Sequence, residues 1–152
     1  MENEIILKKL ALQAALLELH GENEFKSKAY HTAIFHLEKI SEPLVNLSIE
    51  QLSKLQGVGK AIAEKIYSLA QVGSFKQLDE LLAQTPASLV ELLNIKGLGT
   101  KKLRVLWQEL GIENADQLLQ ACENDQIQAL KGFGPKVQEN IKMALLFTKS
   151  NQ

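Results

Sequence analysis

Three short segments of this 152-residue sequence carry a pattern suited to holding a phosphate. They are Leu55-Gln56-Gly57-Val58-Gly59-Lys60, Ile95-Lys96-Gly97-Leu98-Gly99-Thr100 and Leu130-Lys131-Gly132-Phe133-Gly134-Pro135. Each reads apolar, polar, glycine, apolar, glycine, and each has an apolar residue seven positions after its second glycine: Ile66, Leu106 and Ile141. Two glycines around one apolar residue let the backbone turn sharply and approach a ligand, while the apolar residue plugs the gap between two helices. The N–H groups of the turn then open the second helix, where unpaired donors and the positive end of the helix dipole favour an anion. Lys60, Lys101, Lys102 and Lys136 lie just beyond the turns and add point charges. The residues expected to meet a phosphate backbone are therefore Gly57, Val58, Gly59 and Lys60; Gly97, Leu98, Gly99, Lys101 and Lys102; and Gly132, Gly134 and Lys136. Nothing in such a site reads a base edge, so recognition should be indifferent to sequence. One Gly-x-Gly serves equally well as a plain interhelical turn; three copies, each followed by lysine, favour the anion site. The third copy carries least, because two hairpins can pair as a pseudo-symmetric unit in which only one touches the ligand.

Other reactive side chains are sparse. His31 and His36 are five residues apart and face different directions on a helix, and His20 stands alone, so no metal site is expected. Cys122 is the only cysteine, which removes any disulfide framework or zinc pair and suits a reducing, cytoplasmic setting. Trp107 shares a helix face with Leu103, Leu106 and Leu110, where core packing outweighs base stacking.

The elements that position these residues are all helical. Apolar residues recur at helical spacing and no alternating β-branched run is present, so the expected fold is all-α, two small helical domains containing three helix-hairpin-helix motifs. Helices are expected up to Leu19, over 25–40, from a capping box at Ser48 and Gln51, and over 60–71, 75–83, 87–94, 100–110, 115–123, 125–130 and 135–148. Gln84, Thr85 and Pro86 mark the expected boundary, giving domains 1–84 and 85–152. The amino-terminal run of Ile5, Ile6, Leu7, Leu10, Leu12, Leu16 and Leu17 is interrupted by Lys8, Lys9, Gln13 and Glu18, which reads as an amphipathic helix rather than a signal or membrane segment. On the 25–40 helix, Phe25, Ala29, Ala33, Leu37 and Ile40 define an apolar face, with Lys26 in its first turn. A cation there opposes the dipole; anion binding or an exposed, snorkelling lysine would each account for it. Tyr30, four residues on, either donates to the same anion or is a half-buried core tyrosine.

The formal net charge is −1, which excludes a broadly basic nucleic-acid binder, so any footprint is local. The basic excess sits in mid-chain: residues 51–110 hold eight Lys or Arg against five acids, whereas 1–50 hold five against eight and 111–152 hold four against five.

Residues 55–66, preceded by Phe25-Lys26-Ser27-Lys28-Ala29-Tyr30 and followed by Gly73, resemble the amino-terminal domain of the family X DNA polymerases, the polymerase-beta-like enzymes and their bacterial relatives. The second half, with hairpins at Gly97 and Gly132, resembles the helical domain that follows it there. The resemblance covers roughly residues 10–147. It implies a sequence-independent DNA-binding part of a repair polymerase of the base-excision type, with gapped or nicked duplex bearing a 5′-phosphate as partner. It implies that Lys26 and Tyr30 contact the 5′-phosphate and that Lys65 matches the lysine which, in some members, forms a Schiff base with an abasic sugar. One family phosphate-binding lysine is replaced by Ala61, and Lys60 beside it points about 100° away on a helix. The resemblance also implies a monovalent cation, Na+ or K+, held by the carbonyls of Ser53, Leu55 and Val58 and of Leu93, Ile95 and Leu98; no other cofactor is expected. Family X polymerases carry their metal-binding aspartates in a later palm domain. Asp79, Asp116 and Asp125, the aspartates of this chain, lie in expected helices without a paired Gly-Asp-x-Asp strand, so polymerisation is not expected of these residues.

Three functions compete. The first is DNA-backbone binding, with the rest of a polymerase as a possible partner and no membrane. The second is a 5′-deoxyribose-phosphate lyase acting through Lys65. The third is a helical protein-interaction scaffold. The stem of Lys65 falls roughly 70° from the centre of an Ile62, Ile66 and Leu69 face, at the edge of the expected core.

Overall fold

The structure is a computed structural model and describes residues 1–150. Among the described residues every regular element is helical, and the chain divides into two compact units, Met1–Gln84 and Thr85–Gln152.

The first unit is built on α1 (Asn3–Leu19), α2 (Glu24–Leu37), α3 (Ile49–Ser53), α4 (Lys60–Val72) and α5 (Lys76–Ala83), with one 3-10 turn at Leu44–Asn46. Helix α1 is the centrepiece. Its Ile6, Leu10, Ala14, Leu16 and Leu19 are completely buried, and it packs on α2, α4 and α5. The start of α3 follows the sequence pattern: Ser48 and Gln51 form a reciprocal capping box, which satisfies two otherwise unpaired donors.

Helix α2 differs from expectation in both extent and orientation. It stops at Leu37 rather than 40, because Asn3 of α1 captures the chain beyond it. The Asn3 amide donates to the Glu42 carbonyl at 2.9 Å and its oxygen accepts from the Leu44 N–H at 2.8 Å. Pro43, which disfavours helix in the residue before it, completes the break. The buried face of α2 is Ser27, Tyr30, Ala33 and Leu37. Phe25, expected in the core, is 78% exposed, and Ala29 is exposed as well.

The second unit comprises α6 (Ala87–Leu92), α7 (Gly99–Leu110), α8 (Ala115–Glu123) and α9 (Gly134–Ser150). Leu89, Leu92, Leu103, Leu106, Leu118, Ile127 and Ile141 form its core. The helix expected over 125–130 is instead a run of turns. Asp125 enters the left-handed region at φ 57°, and the Gln126 N–H reaches back to the Ala121 carbonyl at 2.9 Å, closing α8. A short polar side chain tolerates that conformation. Gln138 of α9, only 7% exposed, then holds the turn: its amide donates to Asp125 Oδ1 and its oxygen accepts from the Gln128 N–H, both at 2.9 Å. Asp125 thus stands in a turn rather than a helix.

Candidate nucleic-acid interface

Three hairpins share one construction. The plug residues Val58, Leu98 and Phe133 are 5%, 1% and 8% exposed. Each donates its N–H to the carbonyl three residues back: Val58 to Leu55 at 3.1 Å, Leu98 to Ile95 at 3.2 Å, Phe133 to Leu130 at 3.2 Å. Ile66, Leu106 and Ile141 are buried behind them. The first glycine of each turn is left-handed, with φ of 80° at Gly57, 83° at Gly97 and 86° at Gly132, which is why a side chain is disfavoured there. Lys60, Lys101 and Lys136 are exposed and Lys102 half-buried.

The hairpins are not interchangeable. The second glycine is left-handed in the second and third, at Gly99 and Gly134, whereas Gly59 is extended, with φ −85° and ψ 174°. The space beside the glycines differs as well. A Cβ on Gly59, Gly97, Gly99, Gly132 or Gly134 would meet no atom within 4 Å, so these faces are open to a ligand. A Cβ on Gly57 would collide with the His36 ring and lie 3.2 Å from the Thr32 carbonyl oxygen. Gly57 is therefore small for the sake of α2, which lies against it. His36 is thereby assigned to packing. His31 sits 3.5 Å from Glu18, and among the described residues no three His, Cys, Asp or Glu side chains group as metal ligands.

The first unit also holds a cavity of about 490 Å³ bounded by α1, α2, α4 and α5. Lys26 and Tyr30, neighbours on α2, and Lys65, distant in sequence on α4, all line it, together with Gln13, Glu22, Ala61 and Glu80. Lys60 does not. Lys26 has a carboxylate neighbour, Glu22 Oε2 at 3.9 Å, which compensates a cation at the start of a helix. Lys65 is half-buried, and its Nζ donates to the Ala61 carbonyl at 3.5 Å. Ile62, Ile66 and Leu69 are buried as the helical wheel requires. Tyr30 is 6% exposed. Burial pushes its phenol up to about 12, against a smaller opposing effect of a hydrogen bond with Gln13, so the hydroxyl stays protonated at neutral pH. With two lysines facing two glutamates, and alanine at position 61, the cavity wall has no formal charge excess.

A second groove, of about 410 Å³, runs beside this cavity and shares Ala29, Ala61 and Ile62 with it. Phe25, Lys28 and Thr32 of α2 form one wall and Gly57 and Gly59 of the first hairpin the other. The exposed Phe25 thus stands at the rim of a groove.

Gln13, Glu22 and Glu80 also line the site, though their place in the sequence does not mark them as site residues. Gln13 carried a usable signal, since it falls on the Ile6, Leu10, Leu17 stripe at helical spacing, where a polar residue needs a partner. The glutamates carried none, because only the packing of α5 and the loop before α2 brings them to the cavity.

Cys122 in the second unit is 2% exposed. Burial pushes its thiol up to about 11; Lys142 opposes the shift while Glu123 and Glu139 add to it. A thiol so protonated and enclosed is a packing residue. Among the described residues no helix is long and apolar enough to cross a membrane.

Comparison with known proteins agrees with this construction. A helix-hairpin-helix domain profile matches residues 1–75, and a SAM-like helix-hairpin-helix tandem profile matches residues 89–145. DNA polymerase/3′-5′ exonuclease PolX of Bacillus subtilis (strain 168) is 36% identical over 145 residues, which is 95% of this chain and 25% of the relative. DNA polymerase lambda of Rattus norvegicus is 27% identical over 114 residues, 74% of this chain and 19% of the relative. The chain thus spans about a quarter or less of the length of these curated relatives.

Proposed function

We propose that this chain, whose helix-hairpin-helix regions are similar to those of a family X DNA polymerase, binds the DNA backbone without regard to sequence and prefers gapped or nicked duplex carrying a 5′-phosphate. The kinship and the two hairpin regions support DNA as the partner. The observation that carries the backbone mode is the turn built three times, with a buried plug, the same N–H to carbonyl tie, and glycine faces open to a ligand at five of six positions. Phosphate is the group such a turn suits, because it presents N–H donors and no base-reading side chain. The 5′-phosphate preference rests on Lys26 and the protonated Tyr30 sharing one cavity. A sodium or potassium ion at the carbonyls of Ser53, Leu55 and Val58, and of Leu93, Ile95 and Leu98, is part of the same proposal. The Leu55 and Ile95 carbonyls each accept one turn N–H, and a carbonyl has a second lone pair. A cytoplasmic setting and a place in repair are part of it too.

The test is a titration of gapped, nicked, intact and single-stranded DNA, each with and without the 5′-phosphate, at several salt concentrations. The expected result is binding in the micromolar range to any sequence, with log K falling against log salt by about 0.9 per phosphate contact. Salt-independent binding, or strong preference for one base sequence, overturns the backbone reading and favours a protein-interaction scaffold. Equal affinity with and without the phosphate overturns the 5′-phosphate reading.

A second reading draws on Lys65, which shares that cavity. The amine would attack C1′ of a 5′-deoxyribose phosphate and expel water to leave an imine; removal of a C2′ proton would then break the C3′–O bond and release the downstream strand with a 5′-phosphate end, and water would hydrolyse the imine to free the unsaturated sugar phosphate and the lysine. Borohydride trapping decides it: no covalent adduct, or an adduct undiminished in Lys65→Ala, removes Lys65 from that role.

A further inference from the structure

At the edge of the cavity in the first unit, α1 places an amide where its helical stripe otherwise places leucine and isoleucine. Gln13 is 2% exposed, and its Oε1 is buried with no hydrogen-bond partner. An unpaired buried amide oxygen is destabilising, so an arrangement that keeps it calls for a reason. The other end of the same amide supplies one. The Gln13 side chain is hydrogen-bonded to the Tyr30 phenol, and because Oε1 has no partner the bond is made by Nε2, which donates while the phenol oxygen accepts. Had the amide been turned over, Oε1 would take the phenol proton, and that proton would be spent inside the protein. As it stands, the phenol oxygen is occupied from behind while its own O–H keeps its rotation. Burial holds that proton on the oxygen well above neutral pH, and Tyr30 lines the same cavity as Lys26.

We infer that Gln13 is a positioning residue for anion recognition, holding the Tyr30 oxygen as acceptor so that the Tyr30 O–H is free to donate to a phosphate oxygen beside Lys26. This rests on the 5′-phosphate reading proposed above. Gln13 touches no ligand in this scheme and acts only through Tyr30. No proton is transferred: the ligand accepts a hydrogen bond from a neutral phenol and pairs with the ammonium of Lys26.

The experiment measures the preference for a 5′-phosphate, taken as the ratio of Kd values for unphosphorylated and phosphorylated gapped DNA. It is read for the parent chain, Gln13→Met, Tyr30→Phe and the double variant, with circular dichroism confirming that each is folded. Methionine keeps the length and flexibility of glutamine and removes both polar atoms. The expected result is that Gln13→Met lowers the preference by about tenfold, the lower end of what one hydrogen bond to a charged group supplies. Tyr30→Phe should lower it at least as far, and the double variant no further than Tyr30→Phe alone. Gln13→Glu, whose carboxylate accepts the phenol proton, should lose the preference as Gln13→Met does. If Gln13→Met keeps the parent ratio, or lowers it equally in the Tyr30→Phe background, Gln13 does not act through Tyr30 and the inference falls while the 5′-phosphate reading stands. If the parent itself shows no preference, both fall.

Discussion

Replacing the first glycine of two hairpins by alanine should separate a glycine kept for packing from one kept for its ligand. Gly57 and Gly97 have nearly the same backbone, with φ of 80° and 83°, so the conformational cost of alanine is common to both, about 1–2 kcal/mol. Their surroundings differ. At Gly97 the new methyl enters open space, whereas at Gly57 it meets the His36 ring, with Cγ at 3.0 Å and the Thr32 backbone oxygen at 3.2 Å. The ring can rotate away in part, but the carbonyl belongs to α2 and cannot, and overpacking of this kind costs roughly a further 1–3 kcal/mol. Gly57→Ala should therefore lose about 2–5 kcal/mol in the first unit and Gly97→Ala about 1–2 kcal/mol in the second. With a urea dependence on the order of 1–1.5 kcal/mol per molar for a unit of this size, the midpoints should fall by about 1.3–5 M and about 0.7–2 M respectively. Trp107, the only tryptophan, lies in the second unit and both tyrosines in the first, so tryptophan and tyrosine emission follow the two units separately. His36→Ala should recover part of the loss in Gly57→Ala and none in Gly97→Ala. Equal midpoint shifts in the two single variants would refute the packing argument, and a Gly97→Ala chain that binds duplex DNA as the parent does would count against an open ligand face.

Three further outcomes are expected. Tyr30 has a folded pKa raised to about 12 from 10, so its contribution is fully present below pH 10 and is lost as pH rises toward 12. Cys122, raised to about 11 from 9, loses its contribution between pH 9 and 11. Alkaline titration should therefore weaken the second unit before the first, with Tyr30→Phe blunting the later loss and Cys122→Ala the earlier one. Ala61→Lys, which adds a cation to a cavity wall with two lysines and two glutamates, should tighten phosphorylated gapped DNA several-fold and leave the unphosphorylated form nearly unchanged; equal tightening of both would show only a general charge effect. Gln138→Leu removes the bonds that hold the turn at Asp125 and Gln128 and should destabilise the second unit by about 1–3 kcal/mol, measured by urea denaturation. A shift below about 0.5 kcal/mol would mean that the turn holds itself.

The three turns, their plugs and the apolar residues behind them were legible in the sequence because each depends on contacts within about a dozen residues. A glycine's conformation, a three-residue hydrogen bond and a helical repeat are local matters, as is the Ser48 and Gln51 capping box. The buried face of α2 was not local. Phe25, Ala29, Ala33 and Leu37 form one acceptable helical stripe, and Ser27, Tyr30, Ala33 and Leu37 form another; the two share their last two members. Helix α1 chose the second, turning Phe25 to solvent and Tyr30 into the cavity. The unwinding at 125–130 escaped for a similar reason, since its partner is Gln138, ten residues or more away on α9. Lys26 and Tyr30 could be joined from the sequence around one anion, and the resemblance adds Lys65, but the cavity they share with Gln13 required α1, α2 and α4 to be packed first. Hydrogen bonds and periodicity decide which segments turn and coil; which side of each helix faces its neighbours is decided by the burial of the whole unit, and that is where the candidate site is made.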